Sequence, residues 1–89
     1  MNHQPVVMYA TATCPFCVAA RQLLHAKGVT WTEVPIDQQS EKRAEMMQRS
    51  GRHTVPQIFI GDRHVGGFDD LSGLERAGEL DRWLATGRA

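Results

Sequence analysis

Eighty-nine residues leave room for one small domain, expected over 1–89. Ten Lys and Arg balance ten Asp and Glu, so no basic excess points to a nucleic-acid partner. Hydrophobic residues at 42% and charged residues at 22% are a globular balance, and apolar runs such as Val6-Val7-Met8-Tyr9-Ala10 are far too short to cross a bilayer.

In chain order, the MNHQP start has no Lys or Arg before its apolar stretch and does not read as a secretory signal. Val6-Val7-Met8-Tyr9 reads as a buried strand. Pro15 suits the first position of a helix, since its φ is already helical and its missing N–H is not needed there. Cys17, Ala20 and Leu24 share one face of that helix with Leu23 beside them, and Gly28 is its stop signal. Val29 to Ile36 is a second strand candidate, with Pro35 pointing to an edge. Ser40 is expected to cap a helix running through Arg49, with Met46 and Met47 as packing residues and Gly51 ending it. Gln57-Ile58-Phe59-Ile60 is a third strand. Gly61-Asp62 then turns the chain into a short returning strand about His64-Val65. Asp69 or Asp70 can cap a last helix carrying Leu71 and Leu74, which Gly73 and Gly78 weaken and can split before Leu80, Trp83 and Leu84. Tyr9, Phe59 and Trp83 are expected in the core.

The resulting order is β-α-β-α-β-β-α. The first β-α-β implies a parallel pair with a right-handed crossover, and the hairpin adds an antiparallel pair. The expected fold is therefore α/β, a four-stranded mixed sheet with helices on both faces.

The chemistry concentrates at Thr13-Cys14-Pro15-Phe16-Cys17, a C-x-x-C between a strand and a helix. A disulfide closing so short a loop would constrain the unfolded chain by only ~2 kcal/mol, against ~4.7 kcal/mol for a hundred-residue loop. Stapling therefore explains the pair poorly, and chemistry in a reducing compartment explains it better. A sulfur at a helix N-terminus faces unpaired N–H groups and the positive end of the helix dipole, which favour thiolate over thiol. Cys14 is the expected nucleophile. Cys17, three residues on and facing inward, is placed to resolve a mixed disulfide or to close the internal one. The competing readings are half of a zinc site and a pair of inert core cysteines. His3, His25, His53 and His64 are scattered with no second C-x-x-C, so no metal is expected. Cys14 precedes the helix instead of lying within it, which disfavours inert packing.

This C-x-x-C within β-α-β suggests the thioredoxin-like class. Together with Thr54-Val55-Pro56 running into QIFI, and with Gly66-Gly67-Phe68-Asp69-Asp70-Leu71, it resembles the glutaredoxin family, most closely its short bacterial dithiol members. The resemblance covers roughly Val6 to Leu84. It implies a thioredoxin-like fold and glutathione as reductant and co-substrate. It also implies a cis-proline at Pro56 facing the dithiol, with the Val55 backbone pairing with the tripeptide as an added strand. Arg43 would meet the glycine carboxylate. The backbone of Gly67, Phe68 and Asp69 would cradle the γ-glutamyl carboxylate, and Asp70, with Asp69 as neighbour, would meet the ammonium group. Thr11, Phe16 and Thr54 complete the implied contacts. Arg49 and Arg52 are expected as solvated surface charge that can steer anions.

Three positions depart from the family pattern. Thr11 stands where many members carry Lys, so the helix terminus must do more of the work on the sulfur, or Arg43 must compensate. Phe16 replaces a common Tyr, and Phe68 stands where some relatives have another Cys.

The implied function is a glutathione-dependent thiol–disulfide oxidoreductase, cytoplasmic and monomeric, acting on protein disulfides and glutathionylated proteins. Glutathione reductase and NADPH would stand behind the glutathione pool, and ribonucleotide reductase is among the implied partners. A thioredoxin-like donor recharged by a flavin reductase is the first alternative. Thr11 favours it, GGFDD disfavours it, and comparing the two reductases as electron sources separates them. An iron–sulfur cluster carrier is the second. Such carriers usually have C-G-F-S, and Pro15 and Cys17 disfavour it. Nothing singles out a redox-switched binding module.

Overall fold

The computed structural model describes residues 3–86; residues 1–2 and 87–89 of the expected 1–89 domain lie outside the described residues. The elements are β1 (Val6–Ala10), α1 (Pro15–Ala26), β2 (Thr32–Pro35), α2 (Ser40–Ser50), β3 (Gln57–Ile60), β4 (Arg63–Gly66), α3 (Phe68–Arg76) and α4 (Leu80–Thr86). They form one sheet in the order β2-β1-β3-β4. β1 pairs with β2 in parallel, with Tyr9 opposite Val34, and with β3 antiparallel, with Met8 opposite Ile58. β4 returns antiparallel to β3 with an irregularity between Ile58 and Phe59. This is the four-stranded mixed sheet expected from the element order, in the thioredoxin-like arrangement that the C-x-x-C context and the family resemblance implied.

Strand alternation divides the core in two. Val6, Met8 and Ala10 of β1 and Ile58 and Ile60 of β3 point to one face, where Cys17, Ala20 and Leu24 of α1, Leu71 of α3 and Leu80, Trp83 and Leu84 of α4 cover them. Tyr9 and Phe59 point to the other face and pack with Ile36 and with Met46 of α2. A central strand buried on both faces has no polar side to show, so β1 and β3 read as unbroken apolar runs. Tyr9, Phe59 and Trp83 are all buried, as expected.

Local signals set most of the boundaries. Pro15 opens α1. α1 closes with Gly28 at φ 72°, where Val29 N–H reaches Leu24 O and Gly28 N–H reaches His25 O. That pairing satisfies the last carbonyls of the helix. It also commits the Val29 N–H to the helix end, so β2 starts at Thr32 and not at Val29. β2 is an edge strand, where Pro35 costs no ladder bond that matters. The last helical stretch does split: Gly78, at φ 73°, ends α3 in the same way, with Gly78 N–H to Glu75 O and Glu79 N–H to Leu74 O.

Three local expectations are corrected. Gln39, not Ser40, is the N-cap of α2, and Ser40 is already helical. Gly67 is the N-cap of α3, while Asp70 reaches back from the third helical position to accept the Gly67 N–H at 3.0 Å. Met47 is 45% exposed and only Met46 packs, because neighbouring helical positions diverge by about 100° and the buried stripe here is narrow.

Gly66 makes the β4–α3 junction sterically special. At φ +120°, a Cβ there would lie 2.2 Å from Asp70 Oδ2 and 2.8 Å from its Cγ. Gly66→Ala is expected to cost about 1–3 kcal/mol in urea unfolding. Gly73→Ala, within α3 and facing open space, should instead stabilise by about 0.5–1 kcal/mol.

Candidate functional site

Cys14 is the N-cap of α1, with extended backbone (φ −69°, ψ 124°), and its carbonyl accepts the first helical bond from Val18 N–H at 3.0 Å. As a thiol it makes no capping hydrogen bond, and no acidic residue occupies the first turn. The N–H groups of Phe16 and Cys17 are therefore left to solvate the sulfur once it ionises. Burial pushes the Cys14 thiol up. The Cys17 and Phe16 N–H groups, the Cys17 thiol and the charge of Arg21 together outweigh that, and the net result lies below the ordinary thiol value. Cys17 goes the other way. It is fully buried, and burial together with the neighbouring Cys14 raises it, against the Thr11 N–H and Arg21. The two sulfurs thus divide the work by environment: one half-buried and easily ionised, one enclosed and held protonated. Both are free thiols.

The second block lies against the first. The Val55–Pro56 peptide is cis, and Cys14 Sγ stands 3.9 Å from Val55 O as a long thiol donor. Pro56 is buried and Val55 half-buried. The third block follows: a Cβ built on Gly67, at the head of α3, would lie only 3.5 Å from Pro56 O, and Phe68, like Cys14 and Val55, packs against the main core. The N-termini of α1 and α3 therefore flank one cis-proline loop. Phe16 lies beside them and is 58% exposed. Thr54 is exposed and Thr11 half-buried, the latter on the loop that enters α1.

Asp70 carries a charge into this region. Burial opposes its ionisation, but the Gly67 N–H and the Arg52 guanidinium hold its carboxyl below the usual carboxylate range. Arg52 Nη1 is 3.1 Å from Asp70 Oδ2, with both side chains about half exposed. An ion pair so exposed is worth about 0–1 kcal/mol and can be exchanged for another partner. Asp69 is exposed beside it.

Arg43 is the residue the structure does not bring in. It is exposed on the first turn of α2, and among the described residues no hydrogen bond or ion pair links it to the three blocks. Arg49 and Arg52 are not merely solvated charge. Arg49 donates to Tyr9 Oη at 2.8 Å and lies 4.1 Å over the Phe59 ring, while Arg52 pairs with Asp70. Both have partners because α2 and the loop after it lie over aromatic and acidic residues from distant strands and helices, Arg52 more loosely than Arg49.

Sequence reasoning passed over several residues that organise the site. Gln57, fully buried, donates from Nε2 to Thr54 O at 3.1 Å and to Thr54 Oγ1 at 3.3 Å. Its Oε1 lies 2.7 Å from His64 Nε2. With the Gln57 amide donating to Thr54, its oxygen must accept, so His64 carries its proton on Nε2. Burial, then Arg52, lowers the His64 pKa and keeps the ring neutral near pH 7. A polar residue directly after Pro56 in an otherwise apolar strand was the available signal. Arg21, Glu33 and Asp37 surround the loop before Cys14; only the spacing of Arg21 from the cysteines hinted at this.

Among the described residues no group of three or more His, Cys, Asp or Glu side chains could hold a metal ion. No described helix is long and apolar enough to cross a membrane.

The glutaredoxin family model matches residues 6–65. A glutaredoxin of Pseudomonas aeruginosa is 56% identical over 82 residues, covering 92% of this chain and 98% of that one. The solution structure of glutaredoxin from Brucella melitensis matches with a TM-score of 0.87 at 47% identity, over 100% of this chain and 97% of that one. The crystal structure of the buckwheat glutaredoxin–glutathione complex matches with a TM-score of 0.84 at 31% identity, over 91% and 76%.

The different environments of the two sulfurs have a direct readout. Iodoacetamide at pH 7 should label Cys14 in the folded protein and Cys17 only after unfolding. The pH midpoint of the Cys14 rate should lie below the free-thiol value of about 8.5. Equal labelling of both would contradict the assignment.

Proposed function

The chain belongs to the glutaredoxin family of thiol–disulfide oxidoreductases, and from that premise we propose that glutathione is its reductant and that Cys14 is the nucleophile. The observation that carries this reading is the convergence of Cys14, the cis Val55–Pro56 peptide and the N-terminus of α3. A cysteinyl backbone laid beside Val55 puts its sulfur near Cys14, and a carboxylate one residue away falls at the head of α3. That a solved buckwheat relative, 31% identical, is a complex with glutathione supports glutathione as the ligand class.

On a glutathionylated protein, the Cys14 thiolate attacks the glutathione sulfur. The old S–S bond breaks, the protein thiolate leaves and takes up a proton, and Cys14 carries the glutathione. A second glutathione thiolate attacks that glutathione sulfur. Oxidised glutathione departs and Cys14 is again a thiolate. On a protein disulfide, Cys14 forms the mixed disulfide first. Cys17 then loses its proton and attacks Cys14 Sγ, so the substrate leaves as a dithiol and the protein holds the two-electron oxidised Cys14–Cys17 bond. Two glutathione molecules reduce it in turn.

Within the site, Gly67, Phe68 and Asp69 supply backbone N–H groups to the γ-glutamyl carboxylate. Asp70, released from Arg52, takes the ammonium. Thr11, Phe16 and Thr54 border the tripeptide, and Arg43 serves the glycine carboxylate by swinging in from α2. The proposal extends to a single domain over 1–89 that works as a monomer in a reducing cytoplasm, with disulfide-containing proteins such as ribonucleotide reductase as partners. The flavin-reductase alternative is not favoured, because the GGFDD block has no use in it.

Cys17→Ser should retain turnover of a glutathione mixed disulfide and lose reduction of protein disulfides, whereas Cys14→Ser should lose both. Turnover that vanishes in Cys17→Ser while Cys14 still labels would overturn the single-thiol step.

A further inference from the structure

The peptide unit between Thr11 and Ala12, in the loop that delivers the chain to Cys14, is held at both ends. Its carbonyl accepts from Arg21 Nη2 at 2.9 Å, and its N–H donates to Asp37 Oδ2 at 3.3 Å. Arg21 is itself fixed. Its Nε and Nη2 donate to the two carboxylate oxygens of Glu33 at 2.9 and 2.6 Å, and Trp31 Nε1 donates to Glu33 Oε1 at 3.2 Å. A two-pronged Arg–carboxylate pair has a defined orientation that a Lys pair lacks. Arg21 follows Cys17 by four residues and Cys14 by seven, so the three lie along one side of α1. The side chain is only 24% exposed, which limits screening.

Thr11 brings no charge to this loop. Charged groups near the dithiol on the elements packed around it include Glu33 on β2, Asp37 after it, Arg52 in the loop before β3 and Asp69 and Asp70 in the first turn of α3; Glu75 and Arg76 lie at the far end of that helix. Arg52 and Asp70 pair with each other. Arg21 is the cation whose field reaches both sulfurs.

We propose that Arg21, oriented by Glu33, is a positioning residue of the dithiol: it fixes the Thr11 backbone beside Cys17 and places a permanent positive charge on the cysteine side of α1. This rests on Cys14 being the nucleophile. It assigns to the second turn of the helix a role that the residue at position 11 does not fill.

The test is titration of Cys14 by thiolate absorbance in a Cys17→Ser background, where a single thiol reports. Arg21→Gln should raise the midpoint by about half a pH unit, roughly a threefold loss of thiolate well below the midpoint. Arg21→Lys, which keeps the charge, should restore most of it. Glu33→Gln removes the anion beside Arg21 and should leave the midpoint unchanged or lower it. The proposal is overturned if Arg21→Gln leaves the midpoint in place, if Lys shifts it as far as Gln does, or if Glu33→Gln raises it. Should Arg21→Gln fail to fold, Arg21→Met takes its place as the uncharged variant, read by the same criteria. No glutathione is present in the titration, so a failure of the glutathione reading would leave this result standing, and the reverse holds as well.

Discussion

A sulfur at the head of a helix stays anionic only while the N–H groups of the first turn remain turned toward it and no other acceptor takes them. In this chain Cys14 sits at that position with no acidic residue in the first turn and no side-chain cap of its own. The same backbone that starts α1 therefore doubles as the solvation shell of the reacting atom. Pro15 commits the chain to the helix at once, and the extended Cys14 keeps its side chain outside the helical path. Cys17 is then carried inward by the helix and buried among the residues that hold α1 to the sheet. Opposite ionisation behaviour in two cysteines three residues apart follows from this one turn of backbone.

The sheet supplies what the helix cannot. β1 ends beneath the dithiol loop and β3 begins beside it, because the two central strands run antiparallel in register. The segment entering β3 must then pass Cys14, and this is where Val55 and Pro56 lie. The β3–β4 hairpin brings the chain back so that α3 starts against the same loop. Three blocks far apart in sequence become neighbours through two antiparallel pairings. A buried polar group keeps that arrangement single-valued: Gln57 ties the cis-proline loop to His64 on β4, and both ends of its amide are hydrogen-bonded. A polar network of this kind adds specificity only when complete, since a single unpaired member would cost about 1–3 kcal/mol.

Charge in the site is arranged in pairs. Arg52 meets Asp70 near the head of α3, and Arg21 meets Glu33 beneath the loop that leads into α1. The first pair is exposed enough to open for a zwitterionic ligand, whereas the second is more enclosed and fixed by two further hydrogen bonds, Arg21 to Thr11 O and Trp31 to Glu33. One pair suits exchange and the other suits support. Both lie between elements distant in sequence, so the tertiary fold and not local preference brings their members together.

The amino-acid sequence alone determined the elements and the chemistry of the dithiol. Pro15, Gly28, Gly51 and Gly78 act through local backbone geometry, and the apolar runs of β1 and β3 announce strands buried on both faces; these signals need no partner to be read. The C-x-x-C spacing, likewise, implies a helix N-terminus for Cys14 and an inward Cys17. What tertiary structure decided is where long-range partners fall. Arg49 looked solvated until the sheet placed Tyr9 and Phe59 under it. Arg52 looked solvated until the β3–β4 hairpin and α3 brought Asp70 to it. Arg21 found Glu33 and Thr11 only because β2 lies beside the start of α1. A local signal is carried by neighbours along the chain. A hydrogen bond or ion pair between residues ten to forty positions apart depends on strand order and register, which composition and spacing do not encode.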